Sequence, residues 1–81
     1  MKLSVLFFAA ARDAVGRASI EVELPDNRAS VGDLKRELAA SYPNLKSMQH
    51  LLVAVNNNYV ADDHELSAGD EVACFPPVSG G

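Results

Sequence analysis

A chain of 81 residues has room for one domain with a single core. Its composition, 48% apolar and 22% charged, is typical of a globular protein and argues against a disordered chain. The formal net charge is −4 and the seven Lys and Arg residues are scattered, so no basic stripe is available to neutralise nucleic-acid phosphates.

The stretch MKLSVLFFAAAR predicts a first strand, because its side chains alternate with a period of two. Leu3, Val5 and Phe7 form one face, and Ser4, Leu6 and Phe8 form the other. Apolar residues on both faces indicate a central strand, or a strand with one face against a partner.

The same stretch faintly resembles a signal peptide, because one lysine precedes an apolar run. The run from Val5 to Ala11 is at the lower limit for such a signal and is far too short to cross a membrane. A strand is the better interpretation, since cleavage here would remove much of a small core. We therefore expect a cytoplasmic protein with no membrane contact.

A short helical turn and a second strand follow. AAARDAVG contains helix-forming alanines and ends at Gly16, a suitable residue for the position after a helix. The next run, ASIEVELP, alternates until Pro25 ends it. Its two faces are Ile20, Val22 and Leu24, and Ser19, Glu21 and Glu23. This pattern predicts a half-exposed strand.

The stretch ASVGDLKRELAASYPN predicts the one substantial helix. Ser30 suits the N-cap position, and the carboxylate of Asp33 is favourable near the helix N-terminus. Pro43 prevents further extension. Helical spacing predicts a buried face and a solvent-facing group: Val31, Leu34, Leu38 and Tyr42, and Lys35, Arg36 and Glu37.

The second half of the chain predicts a third strand and a short return strand. The third strand covers the apolar run LLVAVN, from Leu51 to Asn56. The turn is Asn56-Asn57-Asn58, because asparagine tolerates left-handed backbone conformations. Tyr59 and Val60 begin the return strand.

A polar loop containing Gly69-Asp70 leads into the last predicted strand, EVACF. Its two faces are Val72 and Cys74, and Glu71, Ala73 and Phe75. Pro76 and Pro77 end the sheet, because neither residue can donate a backbone hydrogen bond.

The order of these elements predicts an α+β fold with two layers, because a single helix can cover only one face of the sheet. Consecutive strands pair as a hairpin, and the helix supplies a right-handed crossover. If the last strand lies beside the first, the fold is the ubiquitin-like β-grasp, with a mixed sheet of four to five strands and one main helix. We expect the domain to cover residues 1–77 and a flexible Gly-Gly tail to cover residues 78–81.

The sequence contains no catalytic motif, so we do not expect the chain to be an enzyme on its own, and we expect no bound metal or cofactor. Cys74 is the single cysteine and is predicted to pack in the core. His50 and His64 are predicted surface residues. The run Asp62-Asp63-His64 predicts a polar turn rather than a metal site.

The glycines Gly80 and Gly81 suggest a chemical use for the end of the chain. A carboxylate is inert until it is activated, for instance as an acyl adenylate made from ATP. Two glycines remove the side chains around that carboxylate, so an extended tail can enter a narrow channel of a partner. Pro76 and Pro77 stiffen the exit from the domain.

These features together resemble a known family. The first strand, the central helix, and GDEVA, FPPV and the final GG are similar to the small subunit of molybdopterin synthase, a ubiquitin-like sulfur carrier, over nearly the whole chain. Two positions depart from the family pattern. Cys74 stands where members often have an aromatic residue, and Ser79 is one of several small residues found before the glycines.

The resemblance implies a reaction centred on Gly81. An E1-like enzyme that consumes ATP would adenylate Gly81, and a sulfur donor, a cysteine desulfurase or a rhodanese-like protein, would convert it to a thiocarboxylate. The tail, including Gly80, would then enter the large subunit in a heterotetrameric complex. There the sulfur would be delivered to cyclic pyranopterin monophosphate to form the dithiolene of molybdopterin.

A partner interface is predicted on the sheet face away from the helix. If the first and last strands are neighbours, Phe8 and Phe75 lie close together, and Tyr59 can join them. Alternatively, loops bury these rings. The residues predicted to contact the large subunit are Phe8, Arg12, Tyr59, Phe75, Pro76, Pro77 and Val78.

Three other functions are compatible with the same tail. The chain could carry sulfur for thiamine synthesis or tRNA thiolation, although the FPPV run favours molybdopterin. It could be a ubiquitin-like modifier joined to lysines through Gly81. It could also be a binding module with an idle tail.

Overall fold

The computed structural model describes residues 1–25, 28–47 and 51–76. The described part contains seven strands, two α-helices and one 3-10 helix. The strands are β1 (Lys2–Phe7), β2 (Ser19–Glu23), β3 (Ala29–Ser30), β4 (Leu52–Val55), β5 (Asn58–Val60), β6 (Glu65–Leu66) and β7 (Glu71–Phe75). The helices are α1 (Ala9–Val15), α2 (Val31–Ser41) and the 3-10 helix Pro43–Ser47. The predicted boundary after residue 77 lies outside the described residues.

Five strands form one mixed sheet in the order β2-β1-β7-β4-β5. The β1–β2 hairpin is antiparallel, and β7 lies parallel to β1, with Val72 opposite Val5. Strand β4 is antiparallel to both β7 and β5. The predicted ubiquitin-like β-grasp is confirmed, because the last strand lies beside the first with one main helix packed on the sheet.

The core lies between α2 and one face of the sheet. Strand β1 contributes Leu3, Val5 and Phe7, and α2 contributes Val31, Leu34 and Leu38. Strand β7 contributes Val72 and Cys74, which are fully buried. The predicted buried faces of these elements are therefore confirmed, and Tyr42 is half-buried at the end of α2. The opposite sheet face, which we call the open face, is not covered by α2.

The N-terminus of α2 has partners for its first backbone N–H groups. Ser30 is the N-cap and forms a reciprocal capping box with Asp33. The hydrogen bond from the Ser30 N–H, together with the Ser30 hydroxyl, lowers the pKa of Asp33 below its usual value. The N–H of Val31 donates to the His64 carbonyl oxygen, and the N–H of Gly32 donates to the Asp62 carbonyl oxygen. The loop before β6 is thereby fixed to the start of the helix.

Three features differ from the sequence prediction or were missed by it. The pair β3–β6 and the 3-10 helix were not predicted. Lys35 is not left to solvent: its side chain is 25% exposed, and its Nζ lies 2.8 Å from Oδ1 of Asp62. The prediction for Lys35 was wrong because the loop that caps α2 brings a carboxylate to this side of the helix.

In the described part of the chain, no helix has the length and apolar character that a membrane crossing requires.

Candidate functional site

The open face carries a row of apolar side chains across four strands. Leu6 lies opposite Ala73, and Ala73 lies opposite Ala54. Ala54 in turn lies opposite Tyr59 on β5. Directly opposed residues on neighbouring strands point to the same face and contact one another. The register therefore produces one continuous apolar strip from β1 to β5.

The rings of Phe8 and Phe75 lie along one side of this strip, and Tyr59 is at its β5 end. The ring centroids of Phe8 and Phe75 are 4.8 Å apart with an interplanar angle of 7°, so the two rings are stacked. Tyr59 lies against Phe75 at 5.9 Å in a tilted arrangement. Offset or tilted aromatic pairs of this kind add to the stability of a cluster beyond their buried area. The predicted proximity of these three residues is confirmed.

These side chains remain accessible. Phe8 is 43% exposed, Leu52 is 40% exposed and Tyr59 is 69% exposed. Leu52 lies opposite Phe75 and extends the cluster onto β4. The alternative that loops bury the rings is wrong within the part of the chain that the structure describes, because Phe8 and Tyr59 remain open to solvent. We call the group Leu6, Phe8, Leu52, Tyr59 and Phe75 the aromatic patch.

The backbone around Phe8 fixes the position of its ring. Phe8 is extended, and its N–H donates to the carbonyl oxygen of Cys74 on β7. Its carbonyl oxygen accepts from the N–H groups of Ala11 and Arg12 in the first turn of α1. Ala9 has a φ of +52°, a left-handed conformation that is unfavourable for alanine. The sharp turn from β1 into α1 therefore holds Phe8 against Phe75.

The predicted interface residues outside the rings have different outcomes. Arg12 is exposed on α1, one turn from Phe8, and within residues 1–25, 28–47 and 51–76 its side chain makes no hydrogen bond or ion pair. Pro76 follows Phe75 directly and is half-buried. Pro77, Val78, Gly80 and Gly81 lie outside the described residues, as does His50. The role of all these residues in binding stays a prediction.

Two members of the patch, Leu6 and Leu52, were not predicted as contact residues from the sequence. Leu6 was placed on the correct face of β1 but was not proposed as a contact residue. Leu52 belongs to LLVAVN, in which every side chain except that of the final asparagine is apolar, so the run carries no alternation to separate inner from outer residues. The register with Phe75 supplies that information.

Cys74 is a core residue and not part of the exposed site. Its side chain is fully buried on the α2 side of β7. Loss of solvation raises the pKa of the Cys74 thiol to about 12, and the charge of Lys35 opposes this only in part. The nucleophilic thiolate is therefore scarce at neutral pH.

This burial predicts slow alkylation of Cys74. At pH 8, iodoacetamide is expected to leave the folded protein unmodified for hours, because the thiol is inaccessible and protonated. In guanidinium chloride, the same reagent is expected to modify the cysteine completely, as mass spectrometry would measure. Rapid stoichiometric modification under native conditions would contradict the burial of Cys74.

The run Asp62-Asp63-His64 holds the loop before β6 against α2. The Asp62 and His64 carbonyl oxygens accept hydrogen bonds from α2, and the Asp62 carboxylate pairs with Lys35. Among the described residues, no group of three or more His, Cys, Asp or Glu side chains is arranged to hold a metal ion.

Comparison with known proteins gives full-length similarities. The ThiS family model matches residues 5–81. The molybdopterin synthase sulfur carrier subunit of Escherichia coli is 42% identical, over 98% of this chain and 99% of that protein. The protein of the same name in Chlamydomonas reinhardtii is 40% identical over the full length of both. The crystal structure of small archaeal modifier protein 1 from Haloferax volcanii superposes with a TM-score of 0.86, at 32% identity, over 100% of both chains.

Proposed function

Because this chain belongs to the ThiS family, we propose that it is the sulfur carrier subunit of a molybdopterin synthase. The observation that carries the proposal is the full-length similarity to relatives of that name at up to 42% identity. The chain and these relatives are almost equal in length, so the similarity includes the region of Gly80 and Gly81.

The proposed chemistry takes place at the carboxylate of Gly81. An E1-like enzyme joins this carboxylate to the AMP portion of ATP, with release of pyrophosphate. A sulfur donor, a cysteine desulfurase or a rhodanese-like protein, then supplies a persulfide sulfur that displaces AMP and forms an acyl disulfide. A thiol reductant cleaves the S–S bond of this intermediate and leaves a thiocarboxylate. The large subunit uses the sulfurs of two such thiocarboxylates, one for each sulfur of the dithiolene, to convert cyclic pyranopterin monophosphate into molybdopterin, and each transfer returns Gly81 as a carboxylate. The carrier supplies the sulfur, and the catalytic residues belong to the large subunit.

The aromatic patch has the properties of a docking surface for the large subunit. It is exposed and apolar, and it ends at Phe75, one residue before Pro76. Exposed apolar patches on small proteins commonly mark interaction sites. A partner held on this surface is close to the point where the chain leaves β7. The patch therefore serves to aim the residues that follow Pro76 into the active site of the partner.

A ubiquitin-like protein modifier is the second candidate function. It is favoured by the structural similarity to small archaeal modifier protein 1. Both candidate functions begin with the activated carboxylate of Gly81. A sulfur carrier then donates the sulfur of its thiocarboxylate, whereas a modifier joins the Gly81 carbonyl to a lysine of another protein. Mass spectrometry of the protein isolated from its own cells separates them. A carrier shows the mass change for replacement of one oxygen by sulfur, whereas a modifier appears in isopeptide linkage to lysines of larger proteins.

The docking role of the patch predicts a loss of affinity for the large subunit. Phe8→Ala and Phe75→Ala are each expected to weaken binding by about tenfold or more, because aromatic residues near the centre of an interface often contribute ~2 kcal/mol or more. Titration calorimetry with the purified large subunit measures this directly. Glu37→Ala, on the exposed side of α2, is the matched control and leaves the affinity unchanged.

Thermal unfolding of the same variants shows whether a loss of binding reflects a loss of fold. Phe8 is exposed to 43%, so its truncation is expected to change the midpoint little. Unchanged affinity in both phenylalanine variants would show that the large subunit binds elsewhere.

A further inference from the structure

A second surface of the molecule lies at the outer edge of β2. Strand β2 is the first strand in the sheet order and pairs with β1. Within residues 1–25, 28–47 and 51–76, no strand pairs with its other side. An unpaired edge presents backbone N–H and C=O groups that another strand can bind.

The hydrogen-bond register shows which residues of β2 present these groups. Leu24 and Met1 exchange backbone hydrogen bonds of 2.8 and 2.9 Å, and the Phe7 N–H donates to the Ala18 carbonyl oxygen at 2.8 Å. In an antiparallel pair, hydrogen-bonded and non-hydrogen-bonded positions alternate. Ile20 and Val22 therefore bond to β1. The residues whose N–H and C=O groups point outward are Ser19, Glu21 and Glu23.

The side chains along this edge alternate between acidic and apolar residues. Glu21 and Glu23 are exposed on the open face, whereas Ile20 and Val22 point toward the core. A strand added at this edge places each residue beside a β2 residue on the same sheet face. Basic side chains in the added strand would therefore meet the glutamates, and apolar side chains would extend the core next to Ile20.

The space beside the edge is open. A cleft of about 720 Å³ runs along β2 and extends over β1 to the start of β7. Ser19, Glu21 and the half-buried Ile20 line it together with Tyr42 and the basic Arg17. Lys2 is the one basic side chain that faces Glu21 from β1 in the described sheet, at 4.0 Å, and both groups are more than two-thirds exposed. An exposed ion pair of this kind contributes little to stability, so Glu21 can bind a basic side chain of a partner in place of Lys2.

A second copy of this chain is disfavoured at this edge in the register centred on Glu21. A twofold antiparallel pairing centred on Glu21 would place Glu21 opposite Glu21, and like charges directly opposite one another are destabilising. The charge pattern favours a partner with basic residues instead.

We propose that the outer edge of β2 is a strand-addition site for an extended segment of a partner protein in which basic and apolar residues alternate. Backbone hydrogen bonds to Ser19, Glu21 and Glu23 provide the affinity, and the two glutamates select the basic residues. The proposal does not depend on the chemistry of Gly81. The site is on β2, separated from β7 by β1, and can be occupied whether or not the tail is activated.

The test uses the full chain and a capped seven-residue peptide of sequence VRVRVTV, which places its arginines opposite Glu23 and Glu21. In a heteronuclear NMR titration, the largest amide shifts are expected at Ser19, Glu21 and Glu23. A peptide methylated on the backbone nitrogens of its arginines is the matched control. It keeps the charges but lacks the N–H donors, and it is expected to bind at least tenfold more weakly.

Variants of β2 separate hydrogen bonding from charge. Glu21→Pro removes an outward-pointing N–H together with the carboxylate and is expected to weaken binding at least tenfold, since proline is tolerated on edge strands. The part of this loss that exceeds the loss in Glu21→Gln reports the backbone hydrogen bond. Glu21→Gln keeps the N–H and is expected to weaken binding severalfold. Glu37→Gln changes the net charge equally on α2 and is expected to have no effect. If Glu21→Pro fails to fold, the methylated peptide tests the same hydrogen bonds with the unaltered protein.

Several results would overturn the proposal. Equal binding of the methylated peptide would show that charge alone attracts it. Shifts centred on the aromatic patch or on β5 would place the peptide elsewhere, and an absence of shifts at millimolar peptide would show that the edge is closed. A dimer that is abolished by Glu21→Pro would identify a second copy as the occupant.

Discussion

A chain that lacks Gly81 is expected to form no thiocarboxylate and yet to unfold at the same temperature as the full chain. Removal of one residue shortens the reach of the tail by about 3.5 Å, and a displacement of even ~1 Å at a reacting centre can cost about a hundredfold in rate. The described core extends no further than Cys74, so the deletion leaves the packing intact. One alanine added after Gly81 is expected to have the same effect, because it moves the carboxylate and adds a side chain.

Both variants are tested in an assay that contains the activating enzyme, ATP and the sulfur donor, with mass spectrometry of the carrier as the readout. Ser79→Ala is the matched control, since it changes the tail but keeps both its length and its two glycines. Full sulfur transfer from the extended chain, with no removal of the added residue, would contradict the proposed role of Gly81. It would not affect the strand-addition site on β2.

Truncation of the helix core is expected to have the largest effect on stability. Leu34→Ala and Leu38→Ala each remove a buried leucine from the α2 face against the sheet, which typically costs 2–5 kcal/mol in the free energy of unfolding. A domain of this size has a total stability of roughly 4–12 kcal/mol, so either change removes a large part of it. Sulfur-transfer activity should then fall in parallel with the folded fraction.

Urea denaturation followed by circular dichroism measures this loss. Leu52→Ala is the matched control, because the same side chain is 40% exposed on the open face and its truncation creates no internal cavity. Wild-type stability of both helix variants would show that the buried face of α2 is assigned incorrectly.

The parts of the fold that the sequence predicted are those with a clear physical period. Strand β1 has Leu3, Val5 and Phe7 at a period of two, and α2 has Val31, Leu34 and Leu38 at helical spacing. Each pattern identifies the element and its buried side together. The ends of α2 were also predictable, because Ser30 is an N-cap and Pro43 cannot continue the helix.

The missed elements have no such pattern. Strands β3 and β6 contain two residues each, too few to show alternation, and they exist because their backbone groups pair with one another. The position of Lys35 beside Asp62 depends on the loop that caps α2. Contacts of this kind join residues that are distant in sequence, so local propensity does not contain them.

The candidate site was predictable in outline because it depends on one topological choice. Once β7 lies beside β1, Phe75 must lie close to Phe8, whatever the details of the loops. The contribution of Leu52 could not be predicted, because it requires the register between β4 and β7. The chemistry assigned to Gly81 rests on family membership and not on the described geometry.

The parallel pair of β1 and β7 also constrains how the chain is made. Ser4 pairs with Glu71, so the central strand of the sheet, β7, and its neighbour β1 come from opposite ends of the sequence. Strands that are this distant in sequence pair late and slowly during folding, because the entropy cost of closing the long loop between them comes first. During synthesis, the central strand of the sheet is absent until residues 71–75 have been added. A nascent chain can therefore complete its fold only when the residues that precede the tail are present, and an interrupted translation product would lack both the folded domain and Gly81.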